Sequence, residues 1–270
     1  MKEGYWVVRT YRAGCVGEKT KFWVPGKRPG GKTRKSEKAH IRKQEQNEYS
    51  SVKQAARILN ANFTKKDVLL GLDYSEEGMK KLHKWIGKQG IDMDQLDDAQ
   101  KLQTLWDAAD HEITNCLRRA KRNAQKLGVE LKAFYITSDM DPRTGETVRV
   151  HHHLVINREA VPAFEEAWKN LGSVDWETLW SDQEDRTDIA AYLLKQVRRI
   201  PDAKKYKTTR NLIRVKPKDR VVLSDAELRV PRYAKLMYRQ EFTKPGQPQY
   251  IRYVVPSWSE DPPEDEEETA

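Results

Sequence analysis

Ten consecutive residues, Val148-Arg149-Val150-His151-His152-His153-Leu154-Val155-Ile156-Asn157, constrain the fold more than any other stretch of the chain. Read as a strand, they send alternate side chains to opposite faces. Val148, Val150, His152, Leu154 and Ile156 then line an apolar face interrupted by one imidazole. Arg149, His151, His153 and Val155 line the other. Two imidazoles two residues apart on one face are spaced to grip one metal ion and to leave positions free for substrate oxygens. His152 falls on the apolar face and is assigned to packing. The plain alternative is that all three histidines are structural.

At 270 residues the chain suffices for one large domain or two small ones. A formal net charge of +9, with 34% charged residues, makes a polyanion the first expected partner, a merely soluble basic surface being the alternative. Cys15 and Cys116 lie too far apart in sequence for a disulfide framework or a Cys-based zinc site. No apolar run approaches membrane-spanning length and the first residues lack a signal-peptide core, so a cytoplasmic protein without a membrane partner is expected.

Tyr5–Arg12 and Thr20–Val24 carry β-rich composition around a Gly-containing turn, which predicts a hairpin added to the edge of the main sheet. The following Gly-, Pro- and Lys-rich segment, residues 25–35, reads as a basic loop. A helix is expected over about 36–60, and a strand over Val68–Tyr74 with Gly71 and Asp73 on its less apolar face. Ser75 and Gly128 mark the start of one helix and the end of a longer one that begins near Asp97. Lys132–Asp139 is expected to pair with the His strand through the turn at Asp141–Gly145. If Phe134 and Ile136 face the core, Asp139 faces the His pair and offers an anionic third ligand.

A helix capped by Asp185-Arg186-Thr187-Asp188 and running to about Arg199 puts Ile189, Ala190, Leu193, Leu194 and Val197 on one side. Asp188, Tyr192, Lys195 and Arg199 fall on the other, so a phenol and an ammonium share one polar face. A basic tract that includes Lys204, Lys205, Lys207 and Arg210 follows. The domains expected are a hairpin and basic loop (1–35), the main domain (36–220), a C-terminal extension (221–258) and a disordered acidic tail (259–270). A phenol becomes a useful nucleophile when the attacked centre is a phosphodiester whose charge a metal neutralises.

Taken in order, His151-His152-His153 and Tyr192-Leu193-Leu194-Lys195 resemble the His-hydrophobe-His strand and Tyr-x-x-Lys helix of the HUH endonucleases, specifically the rolling-circle replication-associated proteins of small phages, plasmids and related mobile elements. Arg57–Phe63 and Thr208–Leu212 resemble flanking stretches of that group, and roughly residues 5–215 are covered. The chain departs from the pattern at Gly71-Leu72-Asp73-Tyr74, where the family commonly has Thr-Leu-Thr-Tyr. It departs again at Ser138 or Asp139, where relatives often place a glutamate. Either Asp139 or Asp73 is then left to complete the metal site.

The resemblance implies an α+β fold, a central antiparallel sheet carrying the His strand with helices packed around it. It implies Mg²⁺ or Mn²⁺ held by His151 and His153, and attack of Tyr192 on single-stranded DNA to give a 5′-phosphotyrosine and a free 3′-hydroxyl. Lys195 would orient the phosphate or lower the phenol's pKa. Arg149, Arg199, Lys204, Lys205, Lys207 and Arg210 are the expected DNA contacts. The setting it implies is a bacterial cytoplasm with a phage- or plasmid-encoded protein. No Gly-x-x-x-x-Gly-Lys-Ser/Thr loop occurs, so a host helicase and polymerase would serve it. The alternatives are a non-cleaving DNA-binding repressor and a metal-dependent hydrolase without a covalent intermediate.

Overall fold

The computed structural model describes residues 4–25, 37–141, 143–179, 184–197, 204–222, 227–240 and 248–256, with 37–48 described by backbone alone. In chain order the elements begin with β1 (Tyr5–Ala13), β2 (Val16–Val24), α1 (Glu37–Asn62), β3 (Val68–Tyr74), α2 (Glu76–Lys88) and α3 (Asp98–Lys126). Then come β4 (Ala133–Met140), β5 (Thr147–Ile156), α4 (Val161–Trp168), β6 (Gly172–Thr178) and α5 (Thr187–Lys195). The last are β7 (Lys207–Thr208), β8 (Lys218–Val222), β9 (Lys235–Gln240) and β10 (Gln249–Val254). The class is α+β, with two antiparallel sheets. Among the described residues no helix is long and apolar enough to cross a membrane.

The chain divides into two compact units, one of residues 62–212 and one of residues 1–61 together with 213–270. The first unit holds the sheet β6-β3-β5-β4-β7, with the His strand at its centre. Central placement buries β5 between two neighbours and satisfies its backbone on both edges. α2, α3 and α4 cover one face of this sheet, where Leu82, Ile113, Phe164 and Trp168 pack on Leu70, Leu72, Val150 and Leu154. The buried side of α3 is largely alanine (Ala108, Ala109, Ala120, Ala124), which lets its backbone lie close to the core. Its start is fixed by a capping box between Asp97 and Gln100, and Gly128, at φ 71°, ends it in the left-handed region where glycine is favoured. Ser75 caps α2 as the sequence predicts, accepting from the Gly78 N–H at 3.1 Å.

The hairpin β1–β2 does form, turning at Gly14 (φ 58°), but it does not join the His sheet. Its two edges are taken by β8 and β10, giving a separate sheet β8-β1-β2-β10-β9. Residues 213–256 are therefore half of a second unit and not an extension of the first, and α1 belongs with them. The physical reason is edge pairing: an isolated two-stranded ribbon is marginal, and these C-terminal strands complete it. On one face Val8, Val222, Ile251 and Tyr253 make a small core. On the other, the buried Glu18 carboxylate takes two bonds from Arg57 of α1, at 2.9 and 2.7 Å, and one from the Tyr250 hydroxyl at 3.0 Å. The basic loop lies outside the described residues except for Pro25, and the acidic tail lies outside them entirely.

Candidate active site

Register decides which side chains meet. In antiparallel sheets, residues directly opposite one another point to the same face. β3 sets Asp73 opposite His151 and Gly71 opposite His153, while β4 sets Ser138 opposite His151 and Ile136 opposite His153. The face away from α3 thus gathers both outer histidines, the Asp73 carboxyl and the Ser138 hydroxyl. The helix-covered face takes Leu72 and Thr137 opposite His152.

His152 is fully buried. Its Nε2 lies 2.9 Å from the Tyr74 hydroxyl and its Nδ1 3.0 Å from Thr137 Oγ1, with the Trp168 ring against it. Both nitrogens are engaged, and burial, followed by the charge of His151, pushes its pKa well below the ordinary value. It is a neutral packing residue, as the alternation indicates.

His151 and His153 are half-buried, their ring centroids 4.9 Å apart. His151 Nδ1 lies 3.0 Å from the Arg149 carbonyl and donates to it, which leaves Nε2 as the ring's acceptor nitrogen. Burial, then the neighbouring charge of His151, lowers His153 to about 4 against the opposing pull of Gln196. At neutral pH His153 is uncharged, the state a metal ligand requires. Given metal–nitrogen distances of about 2.1 Å, rings at this spacing can touch one ion.

α5 supplies the tyrosine. Its first turn is held by Asp185, whose Oδ1 accepts from the Thr187 N–H at 3.0 Å and hydroxyl at 2.6 Å. Ile189, Ala190, Leu193 and Leu194 are buried and fix its rotation. At its end Ser138 Oγ donates to the Gln196 carbonyl at 2.9 Å, tying the helix to β4. Tyr192 is thereby set 6.3 Å, ring to ring, from His153. An open cleft of about 340 Å³ is lined by Asp73, Asp141, Arg149, His151, His153, Tyr192 and Gln196, among others.

Comparison with protein-family models, with curated proteins and with solved structures finds no match.

Several expected residues stand elsewhere. Asp139 is buried between Ser138 and Met140, at a register irregularity, and is not on the cleft wall. The expected phase of β4 is reversed: Tyr135 and Thr137 sit opposite Leu154 and His152, while Phe134 is covered on its own side by the stacked ring of Tyr206. Asp73, the other carboxylate considered, does line the cleft. Lys195 is exposed and off the wall. Arg149 is on it, with Nη1 donating to the Tyr74 carbonyl at 3.1 Å. Lys207 is held by an ion pair with Asp110. Lys204 and Arg210 are exposed, Lys205 is half-buried, and Arg199 lies outside the described residues.

Gln196 is the residue the sequence reading missed. It is wholly buried, its Nε2 donates to the Tyr192 carbonyl at 3.2 Å, and its Oε1 has no hydrogen-bond partner. The available signal was its place four residues after Tyr192, one turn along the same helix face. Among the described residues no three His, Cys, Asp or Glu side chains are close enough to hold a metal. The donors that fit a divalent ion are therefore the imidazole pair and the orphaned Gln196 carbonyl oxygen, a group of the type hard cations accept.

Proposed function

We propose that this protein nicks and rejoins single-stranded DNA through a covalent tyrosine intermediate, as an HUH-type endonuclease acting in rolling-circle replication. The observation that carries the reading is the convergence of Tyr192 with His151 and His153 on one cleft wall, from segments about forty residues apart. A core tyrosine would have no reason to share an open cleft with two imidazoles.

The scissile phosphodiester enters the cleft with Arg149 on its wall and Lys195 exposed on the helix that bears the nucleophile. Tyr192 Oη attacks phosphorus; the new bond to tyrosine replaces the bond to the 3′ oxygen, which leaves as the free hydroxyl. No water is consumed, so attack by a 3′-hydroxyl on the phosphotyrosine rejoins the strand. His151 and His153, with Gln196 beside them, would hold Mg²⁺ or Mn²⁺, whose chemistry is to neutralise charge on the phosphate. The released 3′-hydroxyl is a primer for a host polymerase, with unwinding by a host helicase.

A second reading, a DNA-binding repressor that does not cut, draws on the exposed position of Lys195 off the cleft wall and on the burial of Asp139 away from it. One experiment separates the two. Wild type incubated with Mn²⁺ and a library of single-stranded oligonucleotides should form an adduct that survives a denaturing gel, and Tyr192→Phe should bind but form none. Binding without nicking under every metal and sequence would favour the repressor. Nicking without adduct would favour hydrolysis.

A further inference from the structure

The protein's positive charge is divided between the two units in an uneven way. Residues 62–212, which contain the His–Tyr cleft, hold 25 Lys and Arg and 25 Asp and Glu. Residues 1–61 and 213–270 hold 25 Lys and Arg against 16 Asp and Glu, seven of the acids lying in the last twelve residues. All of the excess charge thus sits on the second unit, although the candidate chemistry sits on the neutral one. Long-range attraction for a polyanion follows net charge, so the strand is drawn to the second unit.

That unit also offers a built place for bases. On the α1 side of its sheet, Glu18 of β2, Arg252 of β10 and Tyr238 of β9 lie in one row of the register, with Tyr250 two residues along. Arg252 stands over the Tyr238 ring, 5.9 Å from its centroid. Lys53 of α1 lies between two more rings, 3.2 Å from the centroid of Tyr250 and 4.3 Å from that of Tyr49. Glu18 is occupied by Arg57 and by the Tyr250 hydroxyl, as described, so its charge is directed at Arg57. Tyr49 and Tyr238 are 49% and 43% exposed. Burial, then the nearby Tyr238 phenol, raises the Tyr49 phenol's pKa, and Arg252 opposes the rise, which places all three in one neighbourhood.

We infer that Tyr49 and Tyr238, with Lys53 and Arg252 beside them, form a stacking subsite for single-stranded DNA on the second unit, and that this unit supplies most of the affinity. Exposed rings accept base faces without sequence preference, while the flanking cations contact phosphates. The charge imbalance argues for a polyanionic occupant and the half-exposed rings for an unpaired strand, since duplex bases hide their faces. The inference does not depend on the nicking reading.

Anisotropy of a fluorescein-labelled dT20 with the full-length protein in EDTA tests it. Tyr49→Ser/Tyr238→Ser should bind about ten- to a hundredfold more weakly, with the salt slope kept. Lys53→Gln/Arg252→Gln should flatten that slope by about 1.4, at about 0.7 per lost contact. Circular dichroism of each variant shows whether it is folded, and the exposed tyrosines can be replaced singly if the double variant is not. Unchanged affinity in the tyrosine variants, with a loss in Lys204→Gln/Lys205→Gln, would overturn the inference and move binding to the neutral unit. Tighter binding of an oligouridylate of equal length would reassign the surface to RNA. A wild type that binds dT20 yet never forms an adduct would end the nicking proposal and leave this one standing.

Discussion

The Tyr74 hydroxyl and His152 Nε2 are 2.9 Å apart in the fully buried layer beneath the cleft, and that bond separates the middle histidine from its neighbours. His152→Ala leaves the Tyr74 and Thr137 hydroxyls without their partner. It should lower stability by roughly 2–4 kcal/mol, counting the cavity. Tyr74→Phe should cost about 1–2 kcal/mol, and the double variant less than the sum because the two share one bond. His151→Ala should shift the urea midpoint little. Equal midpoints for all three single variants would remove His152 from its structural role.

Metal binding should sort the oxygen donors. Calorimetric titration of the metal-free protein with Mn²⁺ should show binding lost in His151→Ala and His153→Ala, and weakened about tenfold or more in Gln196→Leu. Asp139→Asn should keep wild-type affinity, since its carboxyl is buried off the cleft wall. If Asp139→Asn loses the metal and Gln196→Leu does not, the third donor has been misassigned.

Lys207 is expected to behave as a fold residue. Its half-buried ion pair joins the β7 edge to Asp110 of α3. Lys207→Met should cost about 1 kcal/mol or less in stability and leave the salt dependence of DNA binding unaltered. A flatter salt slope in this variant would return Lys207 to the DNA contacts.

Lys53 gives a pH signature. Burial, with Arg57 and Arg252 adding to it, lowers its pKa to about 8 from an ordinary value of 10.5. Below about 8 both folded and unfolded chains carry the charge and the folded state bears the full burial penalty. Between about 8 and 10.5 the unfolded chain holds more protons, so this residue's contribution favours folding increasingly as pH rises. Lys53→Met should therefore be more stable than wild type at pH 7, with the advantage shrinking toward pH 10.5. An advantage that stays constant over that range would show that Lys53 titrates normally.

Much of the site could be read along the chain because its geometry is local. Strand alternation alone puts His151 and His153 opposite His152, and helical spacing alone puts Tyr192 on the side away from Ile189 and Leu193. The structure has both arrangements. The phase of β4 could not be read this way. Both its faces are buried, so no alternation of apolar and polar residues marks the inner one, and Asp139 was assigned to the wrong side. Gln196 was equally hidden, since a helix-terminal glutamine is ordinarily solvated.

The sequence by itself determined the faces: which side chains of the His strand and of the tyrosine helix point together, and where helices begin at Ser75 and Asp97. Only the tertiary structure decided the partners. It put Asp73 in place of Asp139 beside the His pair. It completed the hairpin at residues 5–24 with strands some two hundred residues away, and it confined the excess positive charge to the unit that this pairing creates. The reason is physical. Period and capping are set by covalent neighbours within one or two turns, whereas strand pairing and register depend on which distant edges and side chains best cover one another, and no local pattern encodes that choice.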